Sequence, residues 1–255
     1  VGLISTIYPF LGYDAACHLA EEIPHAARNV PLAIMGSITL NGLMGFAFVI
    51  MLLFSTGPLA KILSSPTGFP FIQIFMDVTK SHPGATILSL FPLIIAVAAT
   101  IAGVTSTSRT LYAFARDSAT PFSGYLSQVD QGRQIPDRAI WTIVILQILL
   151  GFIYLGSSTA FNAILSMAII GMYLSYFLPI VAMVLGGRNR IRSSDYGPFK
   201  LGGVFGFILN VVAVCWMGIS MIFSMFPSIM PVIAENMNYS VVVISGWILF
   251  GVLYY

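Results

Sequence analysis

The sequence predicts an all-α polytopic membrane protein with seven transmembrane helices. Of its 255 residues, 58% are hydrophobic and only 8% are charged, whereas about a quarter of the residues in soluble domains are charged. Apolar stretches long enough to cross a bilayer recur along the chain. The eleven basic residues are spread out and form no patch suited to nucleic acid. We therefore expect one transmembrane domain over residues 1–255.

Counting the apolar stretches predicts the seven segments and their approximate limits. They lie at about 1–20, 32–56, 85–108, 139–156, 160–185, 203–226 and 239–255. The first segment is predicted to be broken, because Pro9 and Gly12 free backbone groups that lipid cannot satisfy. In the second segment, Gly42 and Gly45 permit close packing against another helix.

The connections and the later segments add detail to this layout. Residues 57–84 contain four prolines, and the apolar spacing within Pro70–Thr79 predicts a short amphipathic helix at the outer surface. Gly156–Thr159 is so short that segments four and five are expected to be antiparallel neighbours. Pro179 is predicted to kink segment five. Segments six and seven carry few polar groups, which is typical of helices facing lipid or another helix.

The placement of the basic residues predicts the orientation of the segments, because cytoplasmic loops collect lysine and arginine. If segment one runs from outside to inside, nine of the eleven basic residues lie in inner connections. Only Lys61 and Lys80 then lie outside. We expect an integral multi-pass protein with a cytoplasmic C-terminus, located in the plasma membrane.

Asp14 is the most unusual charge in the sequence, because it lies within an apolar run. A carboxylate in hydrocarbon costs about 2.5–3.5 kcal/mol. If Glu21 and Glu22 mark the cytoplasmic interface, Asp14 lies about 10 Å deeper along a helix. Such a carboxylate suits binding a cationic or amino-bearing solute, or carrying a proton. Pairing with a basic residue purely for packing is the structural alternative.

A metal site or an enzyme is another interpretation of the same segment. On a continuous helix at about 100° per residue, four side chains share one face: Asp14, His18, Glu21 and His25. Histidine and carboxylate at this spacing can bind zinc or iron. Pro24 breaks the helix before His25, however, and no other segment offers a second such cluster. An intramembrane metal-binding protein or enzyme using Asp14, His18 and Glu21 stays an alternative, and no metal or cofactor is assigned.

The inner end of segment three is rich in hydroxyl side chains beside a glycine. The run comprises Gly103, Thr105, Ser106, Thr107 and Ser108. Hydroxyls in a membrane helix commonly hydrogen-bond to the carbonyl four residues back and then need no function. Four in succession are also suited to line a cation or substrate pathway. Both interpretations stay open.

Two stretches of the sequence resemble a known transporter superfamily. Gly12-Tyr13-Asp14, followed by Glu21-Glu22 and Arg28-Asn29-Val30-Pro31, is similar to the sixth-helix region of the amino acid–polyamine–organocation (APC) superfamily. Residues 9–34 resemble most closely the fungal amino acid, GABA and choline permeases within it. Residues 103–121 resemble the eighth helix of the superfamily and the inner loop that follows. With the segment layout, the resemblance covers the entire chain.

The resemblance implies that the seven segments are helices six to twelve of a twelve-helix transporter with the LeuT-like inverted-repeat fold. It implies a secondary active permease rather than an enzyme, which carries amino acids or related amines such as GABA or choline. Because the sequence shows no second set of sodium ligands, we expect coupling to protons rather than to sodium. The implied partners are the solute, H+, the lipid bilayer and the first five helices of the same protein. Because the chain starts on Val1 and lacks those helices, we expect it to be a fragment.

The resemblance also implies roles for individual residues. Substrate binding, in part through the carbonyls of an unwound turn, is implied for Phe10, Leu11, Gly12, Tyr13, Asp14, Gly103, Thr105 and Thr107. Gating or coupling is implied for Tyr8, Asp14, Ser106 and Ser108. A seven-helix receptor is a further alternative, although the sequence lacks Asp-Arg-Tyr at an inner helix end and Asn-Pro-x-x-Tyr in the last helix.

Overall fold

The computed structural model describes residues 3–156, 158–192, 194, 196–227, 232–233 and 237–254. Every regular element in these ranges is helical, which confirms the predicted all-α class. In chain order the α-helices described are α1 (Leu3–Ile7), α2 (Ala26–Ser55), α3 (Leu59–Leu63), α4 (Pro70–Thr79), α5 (His82–Arg116), α6 (Ser123–Leu126), α7 (Asp137–Gly156), α8 (Ser158–Ala182), α9 (Arg188–Arg190), α10 (Gly203–Ser224) and α11 (Ser240–Tyr254). Short 3₁₀ turns follow α1, and a π-helical turn, Met183–Gly187, follows α8.

Several of these helices have the length and apolar character of membrane spans. Within the described ranges, four pass both criteria: Ala26–Ser55, His82–Arg116, Ala163–Gly187 and Gly203–Ser224. The 15-residue helix α11 is apolar but shorter. Large apolar side chains on α2 are exposed, such as Leu43 (67%) and Phe54 (89%). Exposed apolar faces of this extent are those of a polytopic membrane protein, whose helices contact lipid or other helices.

Two helices extend beyond the limits predicted from the apolar stretches. α2 begins at Ala26 rather than near residue 32, and α5 continues to Arg116 rather than ending near residue 108. The added residues are partly polar, so a count of apolar positions misses them. Helical hydrogen bonding continues there because it does not require an apolar environment.

Contacts divide the chain into two compact units. The first comprises Val1–Leu11, His25–Pro31 and Val144–Tyr255, and the second comprises Gly12–Pro24 and Leu32–Ile143. One boundary therefore falls inside the segment that is predicted to be broken.

In the first unit, α8 packs against α10 and α11. Ile169 and Ile170 of α8 are almost completely buried. Asn238 joins the three helices, because its Nδ2 donates to Ser166 Oγ (3.1 Å) and to Ser224 O (2.8 Å). Its Oδ1 accepts from Ser240 N (3.1 Å) at the start of α11. Such interhelical bonds are favoured where no water competes for the polar groups.

In the second unit, α4 occupies the residues predicted for a short amphipathic helix, Pro70–Thr79, which confirms the helix and its limits. Its buried side chains include Phe75, and α4 packs against α5. On its other side, Asp77 Oδ1 accepts from Lys61 Nζ of α3 (2.6 Å) and from Gln73 Nε2 (3.1 Å). These hydrogen bonds, that of Lys61 above all, hold the pKa of Asp77 below its usual range.

Candidate functional site

The first predicted segment is interrupted soon after it begins. α1 is followed by a 3₁₀ turn, Tyr8–Phe10, whose second residue is Pro9. Leu11 is extended, with φ −64° and ψ 143°. Gly12 has a φ of +88°, in the left-handed region that glycine adopts at little cost. Since proline also lacks the donor that a helix needs, this stretch leaves helical geometry where the sequence predicts a break.

The chain does not resume an α-helix after this break, although the predicted segment extends to about residue 20. One 3₁₀ turn, Cys17–Leu19, lies among other turns, and the next α-helix begins at Ala26. Hydrogen bonds here join residues three apart, as from Cys17 N to Asp14 O (2.8 Å). A helix confined between Gly12 and Pro24 would hold about ten residues, a length that is marginal by itself. Hydrogen bonds between residues three apart, as in 3₁₀ helices and turns, replace the four-residue bonds of an α-helix here.

Asp14 and His18 form a pair within this stretch. His18 Nε2 lies 3.4 Å from Asp14 Oδ2, and the Asp14 side chain is only 15% exposed. Glu21, which a continuous helix would place on the same face, instead lies 3.6 Å from Arg116 of α5. The residue His25 has a φ of +49° in the turn before α2. The four side chains that the metal hypothesis places on one helix face therefore do not share one.

A metal site finds no geometric support. In the part of the chain that the structure describes, no group of three or more histidine, cysteine, aspartate or glutamate side chains is arranged to hold an ion. The physical reason is the break itself, since loss of the α-helical rotation separates Glu21 from Asp14 and His18. The Asp14–His18 pair supplies two potential ligands, whereas structural zinc sites have four.

The residues predicted to bind substrate through backbone carbonyls lie in the break. Gly12 O accepts a hydrogen bond from the amide three residues on (3.1 Å). Because a carbonyl has two lone pairs, it can accept a second donor. Tyr8 and Phe10 are 47% and 37% exposed, whereas Leu11 and Tyr13 are half-buried. The first two rings are accessible to a solute in the conformation described.

The hydroxyl-rich patch lies within α5 and bonds largely to its own helix. Thr105 Oγ1 donates to Ile101 O (2.8 Å), and Ser108 Oγ donates to Thr105 O (3.0 Å). Ser106 O accepts from Thr110 Oγ1 (3.1 Å). This bonding is what hydroxyls make in a membrane helix when no ligand is involved.

Part of this patch faces a cavity within the second unit. The cavity has a volume of about 350 Å³ and is lined by Thr100, Ile101, Val104, Thr105, Ser108, Arg109, Ile135 and Ile140. At about 100° per residue, Gly103 and Ser106 lie on the opposite side of α5. Thr107 is exposed and does not line the cavity either. Thr105 and Ser108 are therefore the members of the predicted set that this cavity brings together.

A second cavity, which the sequence does not predict, lies beside the broken segment. It has a volume of about 330 Å³ and is lined by residues 17–22 and by residues 109, 110 and 112–114 of α5. Arg109 Nη2 lies 2.9 Å from Glu22 Oε1, and Arg116 Nη1 lies 3.6 Å from Glu21 Oε2. We call Glu22–Arg109 and Glu21–Arg116 the α5 ion pairs. They join the end of the broken segment to α5.

The sequence contains a signal for the α5 ion pairs. Arg109 and Arg116 are seven residues apart, or two helical turns, so they share one face of α5. Glu21 and Glu22 are adjacent carboxylates, predicted on the same side of the membrane as both arginines. The opposite charges of two glutamates and two arginines on one side are enough to predict that they form ion pairs. Which glutamate contacts which arginine depends on the folded structure.

Comparison with known proteins finds one family across nearly the whole chain. A family model described as amino acid permease matches residues 1–247. The choline transporter of Saccharomyces cerevisiae is 36% identical over 255 residues, which cover all of this chain and 44% of that protein. The amino-acid permease BAT1 of Arabidopsis thaliana is 33% identical, with all of this chain and 50% of that protein covered.

A third relative is the GABA-specific permease of Saccharomyces cerevisiae, which is 30% identical over 99% of this chain and 44% of its own length. The chain spans about half the length of the curated relatives it matches. No solved structure matches the chain.

Proposed function

Because this chain belongs to the amino acid permease family of the APC superfamily, we propose that it forms part of a secondary active transporter for an amino acid or a related amine such as GABA or choline. The relatives it matches are named as permeases or transporters, which are not enzymes. Family membership also removes the receptor and metalloenzyme alternatives. Transport is proposed for the whole protein, with the five preceding helices of the twelve-helix fold as partners of those described here.

The observation that carries the proposal is the position of Asp14. Its side chain is 15% exposed and follows directly on the non-helical backbone at Gly12. Irregular backbone at membrane depth is tolerated where it lines a cavity or packs against protein, and a carboxylate there marks a solute or ion pathway. A carboxylate favours a solute that carries an amine or a quaternary ammonium group. Tyr8 and Phe10 precede Asp14 in the sequence, and aromatic rings attract such cations by about 0.5–2 kcal/mol.

Roles for the remaining predicted residues belong to the same proposal. Solute binding is proposed for Phe10, Leu11, Gly12, Tyr13, Asp14, Gly103, Thr105 and Thr107. Gating or coupling is proposed for Tyr8, Asp14, Ser106 and Ser108. These residues would then act on different sides of α5. One side carries Thr105 and Ser108, which line one cavity, and the opposite side carries Gly103 and Ser106.

We further propose proton coupling, a plasma-membrane location and a cytoplasmic C-terminus. Proton coupling is supported by the presence of an ionisable side chain, Asp14, within an apolar run of a membrane protein. The orientation is supported by the nine-to-two distribution of basic residues between the two sides.

Replacement of Asp14 by asparagine tests the proposal. The full-length protein is expressed in cells that lack endogenous uptake, and a panel of GABA, choline, neutral amino acids and basic amino acids is supplied. Asp14→Asn should lower uptake of the transported solute at least about tenfold, because the lost charge interaction is worth more than about 1.4 kcal/mol. The amount of protein at the cell surface should not change.

Asp117→Asn is the matched control, because its carboxylate is 70% exposed at the end of α5. It should retain uptake. Wild-type protein that reaches the surface and takes up no member of the panel would contradict the proposed solute class. Full uptake by Asp14→Asn would remove Asp14 from the proposed site.

A further inference from the structure

We infer that Asp14 and His18 together carry the coupled proton, with His18 as the group that gains and releases it. This inference rests on the proposed proton-coupled transport and adds His18 to the residues proposed for coupling. The pair is joined by a contact of 3.4 Å between His18 Nε2 and Asp14 Oδ2. Histidine is the side chain whose charge ordinarily changes between about pH 5 and 8.

The surroundings of the pair fit a proton carrier better than a fixed ion pair. Asp14 is 15% exposed and His18 is 35% exposed, so the carboxylate is the more enclosed member and the imidazole the more accessible one. His18 also lines the cavity of about 330 Å³ beside α5, whereas Asp14 does not. The imidazole therefore lies between an enclosed carboxylate and a space large enough for water.

The same cavity supplies a route for the proton. Its lining includes Glu21 and Glu22, whose carboxylates are 82% and 54% exposed. A proton released by His18 into this cavity thus has water and exposed carboxylates between it and the surface. Other titratable or charged groups near the pair include Tyr13, Cys17, Glu21 and Glu22 on its own stretch, and Arg109, Tyr112 and Arg116 on α5. The two arginines are engaged by the two glutamates, which leaves Asp14 as the acidic partner of His18.

The step involves one proton and no other reactant. In the loaded state, His18 is an imidazolium whose Nε2 lies 3.4 Å from the Asp14 carboxylate, so the pair is neutral overall. On release, the Nε2–H bond breaks, its electron pair stays on the nitrogen, and the proton passes to water in the cavity. The pair then carries one negative charge, that of Asp14, until a proton returns. Occupancy of the pair thus changes the charge that the neighbouring break at Gly12 experiences.

The test uses the full-length protein in proteoliposomes and the variant His18→Gln. Glutamine keeps a hydrogen-bond donor near Asp14 but cannot carry a proton at these pH values. Two measurements are made with a solute that the wild type transports: accumulation driven by a gradient of one pH unit, and exchange of labelled for unlabelled solute at equal pH. One proton per uncharged solute allows accumulation of up to roughly tenfold under this gradient. His18→Gln should keep exchange and lose accumulation, and its pH profile should be flat between about pH 5 and 8.

His82→Gln is the control, because it replaces a histidine at the first position of α5, away from the broken segment. It should retain both exchange and accumulation. A His18→Gln protein that accumulates solute as the wild type does, with an unchanged pH profile, would overturn the inference. So would loss of exchange together with accumulation, because His18 would then serve solute binding or folding. If the wild type itself exchanges solute but does not respond to the pH gradient, the proposed proton coupling fails first, and the inference fails with it.

Discussion

Gly12 is the residue at which the backbone of the broken segment turns. Its φ is +88°, and among the described residues no atom beyond its chain neighbours lies within 4 Å of the position that a Cβ would occupy. A side chain at this position would therefore meet no steric obstacle from the residues that the structure describes. Its cost would arise from the backbone conformation alone, which L-residues adopt at about 1–2 kcal/mol.

Replacement of Gly12 by alanine should therefore destabilise the protein by about 1–2 kcal/mol and lower uptake. Asparagine should be tolerated better than alanine, because its short polar side chain accepts left-handed geometry. Gly36→Ala within α2 is the control, since that glycine is helical and also has open space. It should be neutral or stabilising by up to about 1 kcal/mol. Thermal unfolding of purified full-length protein, with uptake measured in parallel, gives both quantities. Equal stability of Gly12→Ala and Gly36→Ala would contradict the strain argument.

The sequence singles out several of these residues and misses others for physical reasons. Gly12 and Asp14 stand out because each is unusual in an apolar run. The proximity of Asp14 to His18 follows from their spacing of four. The separation of Glu21 from Asp14 and His18 does not follow from the sequence spacing. It depends on the failure of a short helix to resume and on an arginine nearly a hundred residues away.

At the scale of elements, α4 shows how well a local pattern can be read. Its limits in the structure are those predicted from apolar spacing, because the periodicity of an amphipathic helix is carried by its own residues. The start of α2 and the end of α5 could not be read in this way. Polar residues continue those helices, and apolar counting carries no information about them.

The contact of Lys61 with Asp77 predicts a pH dependence of α4. The bond lowers the pKa of Asp77 in the folded protein relative to the unfolded value of about 3.9. Its stabilisation is therefore complete above that unfolded value and is lost as the pH falls through the lower folded one. Hydrogen exchange of α4 amides should be slower in the wild type than in Asp77→Asn near pH 6, and the difference should shrink as the pH falls toward 3.

Lys80→Gln serves as the control for this experiment, because it removes a nearby positive charge but not the Lys61 hydrogen bond. In Lys80→Gln, the hydrogen exchange of the α4 amides should keep most of its difference between high and low pH. A wild-type advantage that stays constant from pH 6 to pH 3 would show that Asp77 stabilises α4 by a route other than its ionised carboxylate.

At the scale of the molecule, the α5 ion pairs join parts of the chain that are far apart in sequence. Glu22 and Arg109 are 87 residues apart. Glu22 is 54% exposed and Arg109 24% exposed, so solvent screens the attraction and a pair of this kind contributes about 0.2–1 kcal/mol. Its value lies in fixing the position of the broken segment on α5.

Exchange of the two charges tests this arrangement. Glu22→Arg or Arg109→Glu alone places like charges together and should lower uptake and thermal stability. The double variant restores opposite charges and should recover part of both. Arg138→Glu provides a control charge reversal, since that guanidinium lies over the ring of Tyr125 and away from the broken segment. A double variant no better than the single ones would show that Glu22 and Arg109 act independently.

Membrane insertion, the all-α class and the family were predictable at this scale, because composition, apolar periodicity and the motif around Gly12 are spread through the whole sequence. The division into two units was not predictable. It depends on which helices bury side chains against which others, such as Ile169 of α8 in the first unit and Phe75 of α4 in the second. Apolar residues in a membrane protein carry little information on that choice, since lipid and helix surfaces are equally apolar.

The length of α5 has a mechanical consequence within its unit. A helix of 35 residues is about 52 Å long, whereas the hydrocarbon core is about 30 Å thick. One end of this rod packs against α4, and the other end carries Arg109 and Arg116. A tilt of about 5° around its midpoint would move the two ends by about 2 Å in opposite directions. Arg116 lies at the moving end, where that displacement is large beside its 3.6 Å separation from Glu21. A small rocking of α5 is therefore enough to break this pair at one end while shifting α4 at the other.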